Sequence, residues 1–259
     1  MSKTPSAVAL IPARSGSKRV ADKNIRLLAG HPVIAYTIAA ARQSGVFSAV
    51  IVSTDSERYA DIARYYGAEV PFLRPPELAG DLSPDSEWIE YTLRRLSDAG
   101  RVYDCFSILR PTSPFRQAET IRRAWGEFMA AGNVDSLRAI EKCKQHPGKM
   151  WIVRNGHMLP LLPFSNPNGQ PWHSCQTQTL PEMYIQNASL EIARVRVIYE
   201  NRNISGEVVL PFFTYGHEGF DINQPEDWKR AENLLATNDA ELPVISVAVY
   251  TPSVGKEVK

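Results

Sequence analysis

The chain has 259 residues, 44% of them hydrophobic, and a formal net charge of +1. That length suits one large α/β domain or a domain with an inserted lobe, and the balanced charge excludes a dedicated nucleic-acid binder, which would be far more basic. Cys105, Cys143 and Cys175 show no C-x-x-C spacing, so neither a disulfide framework nor a zinc site is expected.

Ala7-Val8-Ala9-Leu10-Ile11 reads as a fully buried strand, which Pro12 ends by removing a ladder donor. The stretch is too short for a secretory leader, and no later apolar run reaches membrane-spanning length, so a reducing cytoplasm is the expected compartment. The following loop, 13–24, carries Arg14, Lys18, Arg19 and Lys23 among Ala13, Ser15, Gly16 and Ser17. Small residues let backbone approach a ligand closely, while several cations converge on one dense anion. At the carboxyl end of a first α/β strand this predicts a polyphosphate site; a solvated basic turn is the plainer alternative. Neither G-x-x-x-x-G-K-[ST] nor G-x-G-x-x-G occurs here, which weighs against P-loop hydrolysis and dinucleotide redox chemistry.

Helical spacing runs over 31–42 with Gly45 as a stop. A second buried strand, 49–52, delivers Ser53, Thr54 and Asp55 to the same edge as the basic loop. A helix at 57–66 closed by Gly67, a strand at 69–73, a helix at 86–96, a strand at 105–109 and a helix at 118–131 follow. This alternation predicts a mostly parallel sheet with helices on both faces. From about 141 to 181 six prolines break the pattern, yet Trp151, Ile152, Val153, Leu159, Leu161, Leu162, Phe164 and Trp172 are too apolar for a free loop. An extended lobe packing on another subunit is expected. Sheet structure resumes at Tyr184, with a strand at 207–210, a capped helix at 225–235, one further strand at 244–250 and a polar tail.

Three more stretches hold candidate chemistry. Arg110-Pro111-Thr112-Ser113-Pro114 places hydroxyls at the sheet edge, or is simply a proline-rich start to the next helix with Ser113 as its cap. Arg74, in Arg74-Pro75-Pro76-Glu77-Leu78-Ala79-Gly80-Asp81, offers a donor fork for a base edge, or sits in a surface loop. Asp221 ends a short strand and suits Mg²⁺, which takes one or two carboxylates and leaves its other positions to water and phosphate oxygens. Glu226 and Asp227 fit better as first-turn acids favourable to the helix dipole.

Together these pieces resemble the acylneuraminate cytidylyltransferases, which activate nonulosonic acids as CMP-sugars. The resemblance is carried in order by 11–18 with Lys23-Asn24, by Ser53-Thr54-Asp55, and by Arg74-Pro75 with Leu78-Ala79. It continues through 109–114, Leu180-Pro181, Asn187-Ala188, Asp221-Ile222-Asn223 and Glu226-Asp227-Trp228, covering roughly 7–235. It implies a Rossmann-like, GT-A-like nucleotidyltransferase core over 1–240, with 141–181 as a dimerisation lobe and 241–259 as an extension. By resemblance, Ala13, Arg14, Ser15, Gly16, Ser17, Lys18, Asn24, Arg74 and Ser86 bind nucleotide, and Arg110, Thr112, Ser113, Asn187 and Glu191 bind the acceptor. Arg14, Lys18, Lys23 and Asp221 form the catalytic set, and Asp221 with Asn223 holds Mg²⁺.

The departures are informative. The family usually has Gly where Ser15 stands, a tolerable change if the local φ is negative. Sialate enzymes have Gln at Arg110, a second Asp at Asn223, and N-G-A-x-Y where this chain reads Asn187-Ala188-Ser189-Leu190-Glu191. Their arginine before Leu-Pro falls near Thr177. These changes lie in the sugar and metal region, while the phosphate loop is almost intact, which implies a changed acceptor, of legionaminic or pseudaminic type. The implied reaction is in-line attack of an anomeric hydroxyl on the CTP α-phosphorus, releasing pyrophosphate, without a covalent enzyme intermediate. An octulosonate acceptor, GTP as nucleotide, or a binding protein without turnover, for which Asn223 speaks, remain as alternatives.

Overall fold

Alternation along the first strand sets the layers. The computed structural model describes residues 4–251. In β1 (Ala7–Pro12), Ala7, Ala9 and Ile11 join one apolar cluster, and Val8 and Leu10 join another. Successive strand side chains point to opposite faces, so β1 is covered on both sides. Leu10 and Ile11 are fully buried, each contributing about 1.5–3 kcal/mol of apolar burial.

The chain continues through the two-residue strands β2 (Leu27–Leu28) and β3 (His31–Pro32) into α1 (Val33–Ser44). Four alanines favour helix there, and Gly45, at φ 68°, ends it by donating its N–H to the Arg42 carbonyl. Next come β4 (Ala49–Ser53), α2 (Glu57–Tyr65), α3 (Asp85–Asp98), β5 (Cys105–Ile108) and α4 (Ala118–Ala130). They are followed by β6 (Ser136–Lys142), the hairpin β7 (Trp151–Arg154) and β8 (His157–Pro160), and β9 (Tyr184–Arg194). α5 (Val195–Glu200), β10 (Val209–Phe213) and α6 (Pro225–Ala236) complete the order.

The main sheet runs β10-β6-β9-β5-β1-β4. β4 and β5 flank β1 in parallel, whereas β9 pairs antiparallel with β5. α1, α2 and α4 pack on one face, α3 and α5 on the other, giving a three-layer α/β fold. A third cluster joins Val20, Leu28, Phe115 and Ile222 to Trp228 and Ala231 of α6. The capping box between Gln224 and Asp227, with Pro225 at the first helical position, starts α6 beside Asp221.

The chain divides into two compact units, 1–139 with 187–259 and 140–186. The second unit contains the β7–β8 hairpin, with a two-residue turn at Asn155 and Gly156. Within it, His146 bonds the Pro181 carbonyl and Lys149 donates to the carbonyls of His173 and Cys175.

Three sequence expectations need correction. The strand at 69–73 reduces to one bridge, Glu69 to Ile51, because Pro71 has no N–H to continue the ladder. The strand at 207–210 shifts to Val209–Phe213. Residues 244–250 form no strand; they are held instead by Gln43 Nε2 to the Val244 carbonyl, the Tyr65 hydroxyl to the Ala248 carbonyl, and the Tyr250 N–H to the Tyr66 hydroxyl. The polar tail expected beyond 251 lies outside the described residues.

Candidate active site

β1, β4 and β5 end side by side, and the loops leaving them surround a cavity of about 390 Å³. The Ala13 N–H donates to the Ser53 carbonyl, fixing the start of the basic loop to β4. Ser15 then donates its N–H and hydroxyl to the two oxygens of Asp55, at 2.7 and 2.6 Å. Burial raises the Asp55 carboxyl, but the Ser15 bonds and Arg74 outweigh it and leave it below the usual aspartate range. Gly16 turns the loop at φ 71°, where a side chain would be strained. Ser15 is not among the positive-φ residues, so its side chain is accommodated without that strain.

Arg14, Ser17, Lys23 and Asn24 line the main cavity, and Lys18 and Arg19 line an adjoining one that shares Arg14, Ser17 and Lys23. Asp81 bridges the cations: its carboxylate lies 2.7 Å from Arg14 Nη1 and pairs with Lys18. Those two partners hold its carboxyl below the ordinary value. Asn24 donates to the Arg14 carbonyl at 3.2 Å, and Lys23 Nζ donates to the Ile222 carbonyl at 2.8 Å. Burial lowers the Lys23 ammonium, against the opposing field of Asp221.

The opposite wall starts from Arg74, 5% exposed, whose Nε and Nη2 donate to the Ser53 hydroxyl and carbonyl. Its guanidinium lies 4.6 Å from the Trp88 ring centroid, a cation–π contact, and burial lowers its pKa to about 10. Trp88 Nε1 donates to Asp85 Oδ1 at 2.7 Å, and Asp85 Oδ2 accepts from Arg110 at 2.5 Å. Asp85 therefore ties the Arg74 wall to the Arg110 wall. Burial raises its carboxyl, but Arg110 and the Trp88 bond carry it below the usual range.

Under Arg110, Thr112 and Ala188 lies Arg116, 1% exposed. It donates to the Thr37 hydroxyl at 2.9 Å, the Arg110 carbonyl at 3.2 Å and the Ser189 carbonyl. Burial pushes its guanidinium down to about 9, still a cation at neutral pH, and Asp221 opposes that shift. The Ile222 N–H donates to the Thr112 carbonyl, placing Asp221 at the cavity. Asp221 Oδ2 accepts from the Asn223 amide at 2.5 Å, while buried Oδ1 has no hydrogen-bond partner.

The sequence-derived residues separate into groups. Arg14, Ser17, Lys23, Asn24, Arg74, Arg110, Thr112, Asp221 and Asn223 line the main cavity, and Lys18 its neighbour. Ala13, Ser15, Gly16, Ser86, Ser113, Asn187 and Glu191 line neither. Ala13 and Ser15 shape the loop backbone; in the first turn of α3 it is Asp85, not Ser86, that lines the cavity. Ser113 is buried in the turn before α4, which starts only at Ala118, so it is not that helix's cap. Asn187 bonds Thr214 and the Ser189 N–H, and Glu191 is buried against Arg110 and Arg138. Asp81, Asp85, Trp88, Arg116 and Arg138 were not assigned roles from sequence. A first-turn acid such as Asp85 carries no distinctive signal, and Arg116 reads as an ordinary loop arginine until its burial is known.

No cluster of three or more His, Cys, Asp or Glu occurs among the described residues that could hold a metal ion. The unpartnered Asp221 Oδ1 nevertheless fits a cation that takes one carboxylate and completes its shell with water and phosphate oxygens, as Mg²⁺ does. Asn223 orients that carboxylate.

A family model described as cytidylyltransferase matches residues 8–140. Over 241 residues the chain is 36% identical to a CMP-N,N'-diacetyllegionaminic acid synthase of Legionella pneumophila, covering 91% of this chain and 98% of that protein. Over 117 residues it is 49% identical to an N-acylneuraminate cytidylyltransferase of Escherichia coli O18:K1:H7, covering 45% of this chain but 27% of that one. A solved CMP:2-keto-3-deoxy-manno-octonic acid synthetase complexed with CTP shares the fold, at a TM-score of 0.65 and 14% identity over 90% of this chain and 99% of that one. With a family model over more than half of the chain and a match along nearly the whole Legionella protein, the chain that carries this cationic cavity belongs to the cytidylyltransferase family.

Proposed function

We propose that the protein transfers CMP from CTP to the anomeric hydroxyl of a nonulosonic acid, releasing pyrophosphate. The observation that carries this reading is the convergence of Arg14 and Lys23 on one cavity that also holds Asp221 and the buried Arg74, with Lys18 lining the adjoining cavity that shares Arg14 and Lys23. Similarity to the Legionella enzyme over nearly its whole length favours a legionaminic-type acceptor.

Arg14 and Lys18 bind the triphosphate oxygens and draw charge toward the leaving pyrophosphate. Lys23, fixed by the Ile222 carbonyl, orients the α-phosphate toward the acceptor side. Arg74, held by Ser53 and stacked on Trp88, presents its remaining donor to the cytosine edge. Arg110 and Thr112 face the sugar, and Arg116 keeps that wall in place from beneath. Asp221, with Asn223, would hold Mg²⁺, which neutralises phosphate-oxygen charge when bound.

The unit 140–186 is proposed to pair with a second copy of the chain. Val153, Met158, Leu159 and Phe164 are each at least half exposed on it, an apolar load that a partner surface would cover. No described helix is long and apolar enough to cross a membrane, and Cys105, Cys143 and Cys175 are free thiols, which supports action in the cytoplasm.

The test is pyrophosphate release with CTP and Mg²⁺ against N-acetylneuraminate, legionaminate, pseudaminate and octulosonate, repeated with GTP. Release with CTP and one nine-carbon acid is expected. Release only with octulosonate or only with GTP would reassign the substrate, and CTP binding without release from any acid would leave a binding protein.

A further inference from the structure

Asp221 is a single carboxylate shared by two cations. Lys23 and Asp221 line the same cavity, and Lys23 Nζ donates to the carbonyl of Ile222, the next residue, at 2.8 Å. Arg116, 1% exposed, approaches from the turn after β5. It donates to the Arg110 carbonyl at 3.2 Å, and two residues further along that turn the Thr112 carbonyl takes the Ile222 N–H. Burial lowers the pKa of both cations, and the field of Asp221 opposes that shift in each. The hydrogen-bond partners of Arg116, the Thr37 hydroxyl and the Arg110 and Ser189 carbonyls, are all neutral.

The other acids nearby are already engaged. Arg14, Lys23, Arg74 and Arg110 line the cavity against Asp81, Asp85 and Asp221, and Asp81 pairs with Arg14 while Asp85 pairs with Arg110. Glu191 pairs with Arg138 and Arg110, and Asp227 accepts the N–H groups of Asn223 and Gln224. Asn223 brings an oxygen to the metal position but no charge. A free divalent cation would therefore lose water in a cavity where cations outnumber carboxylates, for one acid that two cations already attract.

We propose that Lys23 and Arg116 close the metal position to a free divalent cation, and that the ion enters only with a nucleoside triphosphate, whose oxygens supply the charge that Asn223 lacks. The inference rests on the proposed use of CTP and on Asp221 as the residue that would hold Mg²⁺. It makes the two cations gatekeepers of the site as well as neighbours of the phosphates. A merely structural role for Arg116 predicts the opposite sign, since loosening the turn under Asp221 would weaken metal binding.

The probe is Mn²⁺ alone, titrated into the nucleotide-free protein and followed by electron paramagnetic resonance. Wild-type protein should bind it with a Kd above about 1 mM, while Mn²⁺ should tighten CTP binding at least about tenfold in calorimetry, as linkage requires. Asn223→Asp, an exposed substitution, should tighten nucleotide-free Mn²⁺ binding at least about tenfold by adding a charged ligand. Arg116→Met should tighten it about 3- to 10-fold by removing the opposing charge. Lys23→Met, at the cavity surface, carries the same test should Arg116→Met not fold. Micromolar binding of Mn²⁺ to the nucleotide-free wild type, or binding no tighter in Asn223→Asp and the methionine variants, overturns the inference alone. Wild-type protein that binds no CTP with or without Mn²⁺ overturns the proposed reaction, and this inference with it.

Discussion

Asp55 holds Ser15 by both of its donors, one carboxylate oxygen taking the backbone N–H and the other the hydroxyl. The first residue after Arg14 is thereby clasped to the segment leaving β4, which fixes the start of the cationic loop. Ser15→Gly and Ser15→Ala both remove the hydroxyl bond, and glycine also frees the backbone. KM for CTP should rise about 3- to 10-fold, more for glycine than for alanine. Steady-state kinetics check this, and equal KM values in all three proteins would dismiss the clasp.

Asp81 pairs with Arg14 and Lys18, the two cations proposed to bind the triphosphate. Asp81→Asn removes the competing charge, so CTP should bind about 2- to 5-fold more tightly by calorimetry. Lys18→Ala should instead weaken it by about 10-fold or more. Weaker binding in Asp81→Asn would mean that the carboxylate arranges the loop rather than competing.

Asp221→Asn keeps the shape of the side chain and removes its charge. The Mg²⁺ concentration giving half-maximal rate should rise at least about tenfold, and Mn²⁺ binding followed by electron paramagnetic resonance should weaken in parallel. An unaltered metal response would place the ion elsewhere.

Asp55 and Asp85 both titrate below the ordinary aspartate value in the folded protein. A depressed folded pKa contributes stability that is fully present above the unfolded value, about 3.9, and is lost as pH falls through the folded one. Melting temperature should therefore drop steeply below about pH 4. Asp85→Asn should be less stable at neutral pH and flatter in that acid range, a comparison that thermal melts at pH 7 and pH 3 settle.

The legible part of the site is the part that is local in sequence. Arg14, Lys18 and Lys23 fall within ten residues, so their shared chemistry shows without knowledge of the fold. The cluster around Arg110 joins residues 25 and 81 positions away, and no pattern within a single element announces such a meeting. Helical spacing located α3 from 86 onward, one residue past Asp85, and the resemblance named Ser86 where Asp85 lines the cavity. The apolar run at 69–73 had strand composition, yet Pro71 denies it the ladder.

The cationic loop is not a bare patch of positive charge, because Asp81 sits on two of its cations. On the proposed reading a triphosphate would take the place of that carboxylate, and its attraction to the loop is reduced by the negative charge already there. Its affinity should accordingly depend less steeply on ionic strength than in the Asp81→Asn protein, where dissolved anions take that place.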